Sequence, residues 1–202
     1  MRILLVRHGQ SEWNAEKRLQ GQADISLSKK GISQAEALRP VIEGIAPCRA
    51  ITSDLRRARD TAVILGFPDA APTEELREIS VGDWTGRLIP EIIAEDSHGY
   101  TGWRAGTSAP PGGETWADFV TRTCGVIEAA RADPNCKNLL VVCHGGVIRA
   151  LLDHYLDLRP AHIIPVGPAS LTALRFSSDP NKRAKLELFN YSPKELQFDA
   201  PD

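Results

Sequence analysis

The sequence predicts an α/β fold: a three-layer α/β/α sandwich around a mostly parallel central sheet. Three observations predict it. Short, continuous apolar runs stand within residues 2–6 and 139–143, as in central strands covered on both faces. Helical patterns open directly after strand-like segments, and arginine, histidine and glycine gather where those strands stop.

The first strand is "RILLV" at 2–6, which runs straight into Arg7, His8 and Gly9. Ser28 then caps a helix over "KKGISQAEALRPVIEGI", with Ile32, Ala35, Leu38 and Ile42 on its apolar side and Pro40 expected to kink it or loosen its last turns. A second strand, "RAITSD" at 49–54, leads into a helix over 55–65. Glycine and proline crowd residues 80–113, which read as loops with a short helix near 89–96 and form a candidate lid. Another helix, "ETWADFVTRTCGVIEAARA", precedes "LLVVCHGGVIRALLDHYL" at 139–156, a strand, a Gly145-Gly146 turn and an amphipathic helix. Strands near "SLTALRF" and "AKLELFNY" close the sheet. A length of 202 residues fits one domain over 1–192, with 193–202 as a C-terminal extension.

With 24 Lys and Arg against 26 Asp and Glu, the net charge of -2 supplies no global field toward nucleic acid or an anionic membrane, so any anion site must be local. The apolar run at the start is too short for a signal h-region, and none later reaches membrane-spanning length, which together predict a cytoplasmic protein. Cys48, Cys124, Cys136 and Cys143 lack close pairing spacing and are expected as reduced thiols.

In such a fold, ligands bind beyond the carboxyl ends of the strands. The ends "VRHG", "TSDLRR" and "VCHGG" would gather Arg7, His8, Arg57 and His144 around one small volume. Guanidinium forks match phosphate oxygens, glycines admit backbone N–H groups, and helix N-termini after Ser53 and His144 add partial positive charge. Two histidines point past binding to transfer, since a neutral imidazole attacks phosphorus well and neighbouring cations keep it neutral. A departing alkoxide needs a proton, for which Glu78 in "LREISVGDWTG" is best placed, with Asp83 in reserve.

Taken in order, "LLVRHGQSEWN", "QGQADISLSKKGISQA", "TSDLRRARDTA", "LREISVGDWTG", "PGGET" and "LLVVCHGGVIRALL" resemble the signatures of the histidine phosphatase superfamily, also called phosphoglycerate-mutase-like. The resemblance spans residue 3 to about 175. It implies that His8 is the phosphorylated nucleophile, that Arg7, Arg57 and His144 bind the phosphoryl group, and that Glu78 is the proton donor. It also selects Arg57 over Arg56 and Arg59, which are read as surface residues. Asn14, Gln20, Gly21, Ser53 and Gly145 match substrate-pocket positions. Two departures, Ser26 for a frequent proline and Cys143 for a frequent serine, touch none of these atoms. The stretch between Trp84 and Pro110 is shorter than in the mutases of this family, which favours a phosphatase acting on a small phosphorylated metabolite, without metal or cofactor.

Other readings compete. A cofactor-dependent phosphoglycerate mutase shares the motifs, and a non-catalytic phospholigand-binding module would share the cradle. Cys143 and Arg149 are spaced as C-x5-R, like the phosphate loop of cysteine-dependent phosphatases, although Arg149 is equally natural on the solvent side of a helix. A metal-dependent hydrolase lacks its paired-histidine or clustered-acid ligands. His98, His154 and His162 are read as hydrogen-bonded structural residues, and Trp13, Trp84, Trp103 and Trp116 are candidate pocket walls or core anchors.

Overall fold

The computed structural model describes residues 1–133, 135–177, 179 and 182–194. Its sheet holds strands β1 (Arg2–Arg7), β2 (Arg49–Ser53), β3 (Ala71–Thr73), β4 (Asn138–Cys143), β5 (Leu171–Arg175) and β6 (Lys185–Tyr191), in spatial order β3-β2-β4-β1-β5-β6. The pairs β3/β2, β2/β4 and β4/β1 are parallel, while β5 and β6 add antiparallel at one edge. Helices are α1 (Glu12–Ala15), α2 (Lys29–Ile45), α3 (Arg56–Ile64), α4 (Ile89–Glu95), α5 (Ser97–Ala105), α6 (Trp116–Arg131) and α7 (Gly145–Leu156).

Strand alternation explains the layering. Leu4 and Val6 of β1, with Leu140 and Val142 of β4, meet Leu38 and Ile42 of α2 and Ala58 and Ala62 of α3. Their neighbours Ile3, Leu5, Leu139 and Val141 face Ile127 of α6 and Val147, Ile148 and Leu151 of α7. Both faces of β1 and β4 are thereby covered, as their unbroken apolar runs require. The three-layer fold is as predicted.

Local differences have physical causes. The buried side of α2 is Gly31, Ala35, Leu38 and Ile42, and Ile32 is 41% exposed. Gly31 takes the inward place because the backbone of Gln10 passes so close that a Cβ there would stand 2.0 Å from its carbonyl oxygen. Pro40 does not end the helix, which continues to Ile45 and stops at Ala46 in the left-handed conformation. Residues 80–113 hold more helix than expected: besides α4 there is a 3-10 turn at Gly82–Trp84, and α5 begins at the Asp96 cap and ends at Gly106 with φ 74°. Gly145 and Gly146 are the first residues of α7 rather than a separate turn.

The cysteine expectation is overturned for one pair. Cys48, just before β2, and Cys136, just before β4, form a disulfide across 88 residues, while Cys124 and Cys143 are free and buried. Adjacent parallel strands bring the two together at the amino ends of the sheet, opposite the edge where Arg7 and His144 lie. Of the C-terminal extension, residues 195–202 lie outside the described residues. Among the described residues no helix is long and apolar enough to cross a membrane.

Candidate active site

β1, β4 and the β2–α3 junction deliver their terminal side chains to one cavity of about 650 Å³, its mouth included. Arg7, His8, Asn14, Gln20, Gly21, Arg57, Glu78 and Gly145 line it. His8 is 3% exposed. Its Nδ1 lies 2.7 Å from the Gly9 carbonyl oxygen, which can only accept, so Nδ1 carries the proton and donates. Nε2 is then an unprotonated acceptor, 3.3 Å from the Arg57 Nε that donates to it. Burial first, then the charges of Arg57 and Arg7, hold the His8 pKa well below the ordinary 6.5, against the opposing Gly9 bond.

The surroundings keep that ring in place. Gly9 N–H donates to Thr61 Oγ1 at 3.1 Å, and the same hydroxyl donates to the Arg57 carbonyl at 2.7 Å, tying the tip of β1 to α3. No side chain fits at residue 9, where a Cβ would meet the Gly31 carbonyl oxygen at 2.4 Å. Arg57 is 1% exposed, and besides His8 it donates to Ala23 O at 2.6 Å and Gly21 O at 2.8 Å. The 20–24 loop therefore fixes the fork before any ligand arrives. Arg7 donates to Val166 O at 2.5 Å and lies against Gly145. Burial lowers the pKa of both arginines to about 10, which leaves them charged at neutral pH.

His144 packs edge-on against His8, ring centroids 5.1 Å apart, and is fully buried behind the cavity wall. Burial, then Arg57, holds its pKa well below 6.5. Its Nε2 meets Ser53 Oγ at 2.9 Å. That hydroxyl also accepts from Leu55 N–H at 3.3 Å. Nδ1 of His144 is buried with no hydrogen-bond partner among the described residues. Ser53, expected to contact substrate, instead does not line the cavity and acts on His144.

Glu78 follows β3 and a 3-10 turn at Glu74–Leu76, rather than a longer strand. Its Oε1 accepts from Ile79 N–H at 2.9 Å and its Oε2 from Gly146 N–H at 3.0 Å, so the carboxylate rests on the positive end of α7. Arg122 of α6, which sequence reasoning missed, fixes this segment. It donates to the carbonyls of Glu75 at 2.8 Å, Arg77 at 2.9 Å and Glu78 at 3.1 Å, and pairs with Glu114 at 2.7 Å. Asp83 does not line the cavity.

Asn14 closes a capping box with Ser11, whose hydroxyl also donates to Gln20 Oε1 at 2.7 Å, so both amides are held at the rim. Trp103 and Trp116 are pocket walls, whereas Trp84 is core and Trp13 packs on Gly86. Arg149 is not on the solvent side of α7: it is 7% exposed and lines the cavity. Its would-be partner Cys143 belongs to the core under α6 and α7, where burial raises the thiol pKa far above its ordinary value. A buried neutral thiol off the cavity wall is no nucleophile. His98, His154 and His162 are exposed. Among the described residues no group of three His, Cys, Asp or Glu is placed to hold a metal ion.

A neutral imidazole aimed into a cationic cradle beyond a parallel sheet defines an α/β phosphohydrolase. The chain belongs to the histidine phosphatase superfamily (branch 1), whose family model matches residues 3–190. It is 36% identical to a glucosyl-3-phosphoglycerate phosphatase of Mycolicibacterium vanbaalenii, over 95% of each chain. It is 33% identical to an adenosylcobalamin/alpha-ribazole phosphatase of Salmonella typhimurium, over 81% of this chain and 83% of the other. A solved mycobacterial glucosyl-3-phosphoglycerate phosphatase in complex with VO3 superposes with a TM-score of 0.85 at 36% identity, covering 95% of this chain and 99% of that one. The protein is a phosphatase of small phosphorylated metabolites.

Proposed function

We propose that hydrolysis proceeds in two steps through a phosphohistidine at His8, without metal or cofactor. The observation that carries this reading is the His8 ring itself, its Nδ1–H committed to Gly9 O and its unprotonated Nε2 turned to the cradle, where it accepts from Arg57 Nε–H at 3.3 Å until phosphorus takes that place. In the first step Nε2 attacks phosphorus, the P–N bond forms and the ester P–O bond breaks. Glu78, entering protonated, gives its proton to the departing alkoxide. Gly9 O accepts the Nδ1 hydrogen of the phosphorylated ring and offsets its new charge. In the second step Glu78, now a carboxylate, takes a proton from water as that oxygen attacks phosphorus. The P–N bond breaks, phosphate leaves, and His8 and Glu78 are restored.

Arg7 and Arg57 stabilise the equatorial oxygens throughout, joined, as the family resemblance implies, by His144, which reaches them only from behind the His8 ring. Asn14, Gln20, Gly21 and Gly145 bound the substrate pocket, and Ser53 holds the His144 ring through its Nε2. Apolar walls at Leu19, Ile79, Val81, Trp103 and Trp116 favour a small organic phosphomonoester of the kind named in the relatives, and no macromolecule is required as partner.

A cytoplasmic location, expected from reduced cysteines, is not favoured by the Cys48–Cys136 bond, which would be open to thiol exchange there, since Cys48 is exposed.

Steady-state release of phosphate from p-nitrophenyl phosphate in excess chelator tests the reading. Wild type turns over under chelation and a folded His8→Ala variant does not. Turnover that needs a divalent ion, survives in His8→Ala, or isomerises a phosphoglycerate without releasing phosphate would overturn it.

A further inference from the structure

We infer that Arg149 is a specificity-determining residue: it receives a carboxylate carried by the substrate beside its phosphoryl group. The inference rests on the phosphatase reading and names the class of ester this pocket selects. Arg149 stands in the fifth position of α7, four residues after Gly145, so the two share a helix face. Gly145 touches Arg7 of the phosphoryl cradle. One helical turn, about 5–6 Å of rise, therefore separates the backbone that touches the cradle from the backbone that carries Arg149. That span suits a phosphate and a carboxylate on one short carbon chain.

Arg149 is built as a receptor rather than as a surface charge. It is more than nine-tenths buried, its charge is desolvated enough to lower its pKa to about 10, and it lines the same cavity as His8. Among the described residues no carboxylate pairs with it. One nitrogen, Nη2, donates to the carbonyls of Arg104 on α5 and of Pro160, the latter at 3.2 Å. Those bonds orient the fork but do not neutralise it. Its Nε is buried with no hydrogen-bond partner. A buried cation with an unspent donor is costly unless an anion arrives.

Charge balance gives the arriving group its sign. A phosphomonoester dianion is matched by Arg7 and Arg57. Arg149, with Arg104 of α5 beside it, stands beyond that match and leaves positive charge for a further anion. Its fork fits a carboxylate in two parallel hydrogen bonds. Trp103 and Trp116 of α5 and α6 line the same cavity and supply apolar wall beside the carbon chain of such an ester.

The test compares two esters that differ in one group: 3-phosphoglycerate, and glycerol 3-phosphate, which carries a hydroxymethyl in place of the carboxylate. Hydrolysis of p-nitrophenyl phosphate is followed in parallel as a reporter of the phosphatase chemistry alone. Wild type is expected to show a kcat/KM at least tenfold higher for the acid than for the neutral ester. Arg149→Gln should cost the acid at least tenfold more than it costs glycerol 3-phosphate, mainly through KM, and Arg149→Lys should recover part of the difference. A wild type that hydrolyses both esters equally, or an Arg149→Gln variant that loses equally on both, overturns the carboxylate subsite and leaves the phosphatase reading standing. Failure on p-nitrophenyl phosphate as well would remove that reading and the inference with it. The wild-type ratio decides even where Arg149→Gln does not fold.

Discussion

Glycine at 146 is required by the proton donor, and replacing it by alanine isolates that donor from the rest of the site. A Cβ at residue 146 would stand 2.1 Å from Glu78 Oε1 and 3.2 Å from Cε1 of Phe119. Ordinary contact begins at 3.4 Å, so the carboxylate must retreat by 3.4 − 2.1 = 1.3 Å. Phe119 is fully buried and cannot give way, whereas Glu78 is the end of a side chain at the cavity wall. A misplacement of about 1 Å costs on the order of 100-fold in a positioned reaction, and loss of general acid catalysis alone spans about 10²–10⁴-fold. For Gly146→Ala, kcat/KM on an alkyl phosphomonoester is therefore expected to fall about 100-fold, or roughly 2.7 kcal/mol. That parameter reports the first step, in which the alkoxide must be protonated. With p-nitrophenyl phosphate, whose leaving group departs as an anion, the fall should be far smaller. Equal losses on the two substrates would refute a proton-donor role for Glu78.

Arg122→Ala frees the carbonyls of Glu75, Arg77 and Glu78 and strands Glu114, so stability should drop by about 2 kcal/mol in urea unfolding, and the alkyl ester should again suffer more than p-nitrophenyl phosphate. Rescue by Arg122→Lys of stability but not of that selectivity would fit a fork that positions the loop. His8 and His144 are held neutral, chiefly by burial and then by Arg57, while in the unfolded chain they take up protons as pH falls through about 6.5. Stability is thus full above that pH and declines below it, by up to about 1.4 kcal/mol per pH unit for each ring. His8→Gln should remove one ring's share of the slope between pH 6.5 and 5, and an unchanged slope would contradict it. Cys48→Ser, which opens an 88-residue loop away from the cavity, should cost about 2–4 kcal/mol with kcat retained, and four titratable thiols in unreduced, unfolded wild type would show that the bond does not form.

Where chemistry and patterning coincide, the sequence was easily read. The apolar runs of β1 and β4 could only be covered strands, and the charged residues that follow them had to lie at their carboxyl ends. His8, Arg7, Arg57, Glu78 and His144 are brought together as expected. A strand ahead of Glu78 is expected, but β3 could not be given bounds because three residues with one proline carry no periodicity. Gly99 and Gly102 disguised α5, whose real signals are the Asp96 cap and Gly106. The Cys48–Cys136 bond depends on β2 lying beside β4, a fact of topology that no spacing records. Arg149 was legible in principle, since four residues from Gly145 is one helical face, but a glycine reveals a face only once its neighbour is known. Arg122 had no such signal: its partners are backbone carbonyls on another element.

The central claim is that His8 carries the phosphoryl group during turnover. Rapid mixing of wild type with substrate, a base or detergent quench within one turnover, and mass spectrometry of peptides kept away from acid tests it directly. The expected result is an acid-labile phosphate on the peptide containing His8, formed and lost at rates that match kcat. An unmodified His8 throughout turnover, or phosphate found on Cys143 or any other residue, would contradict it.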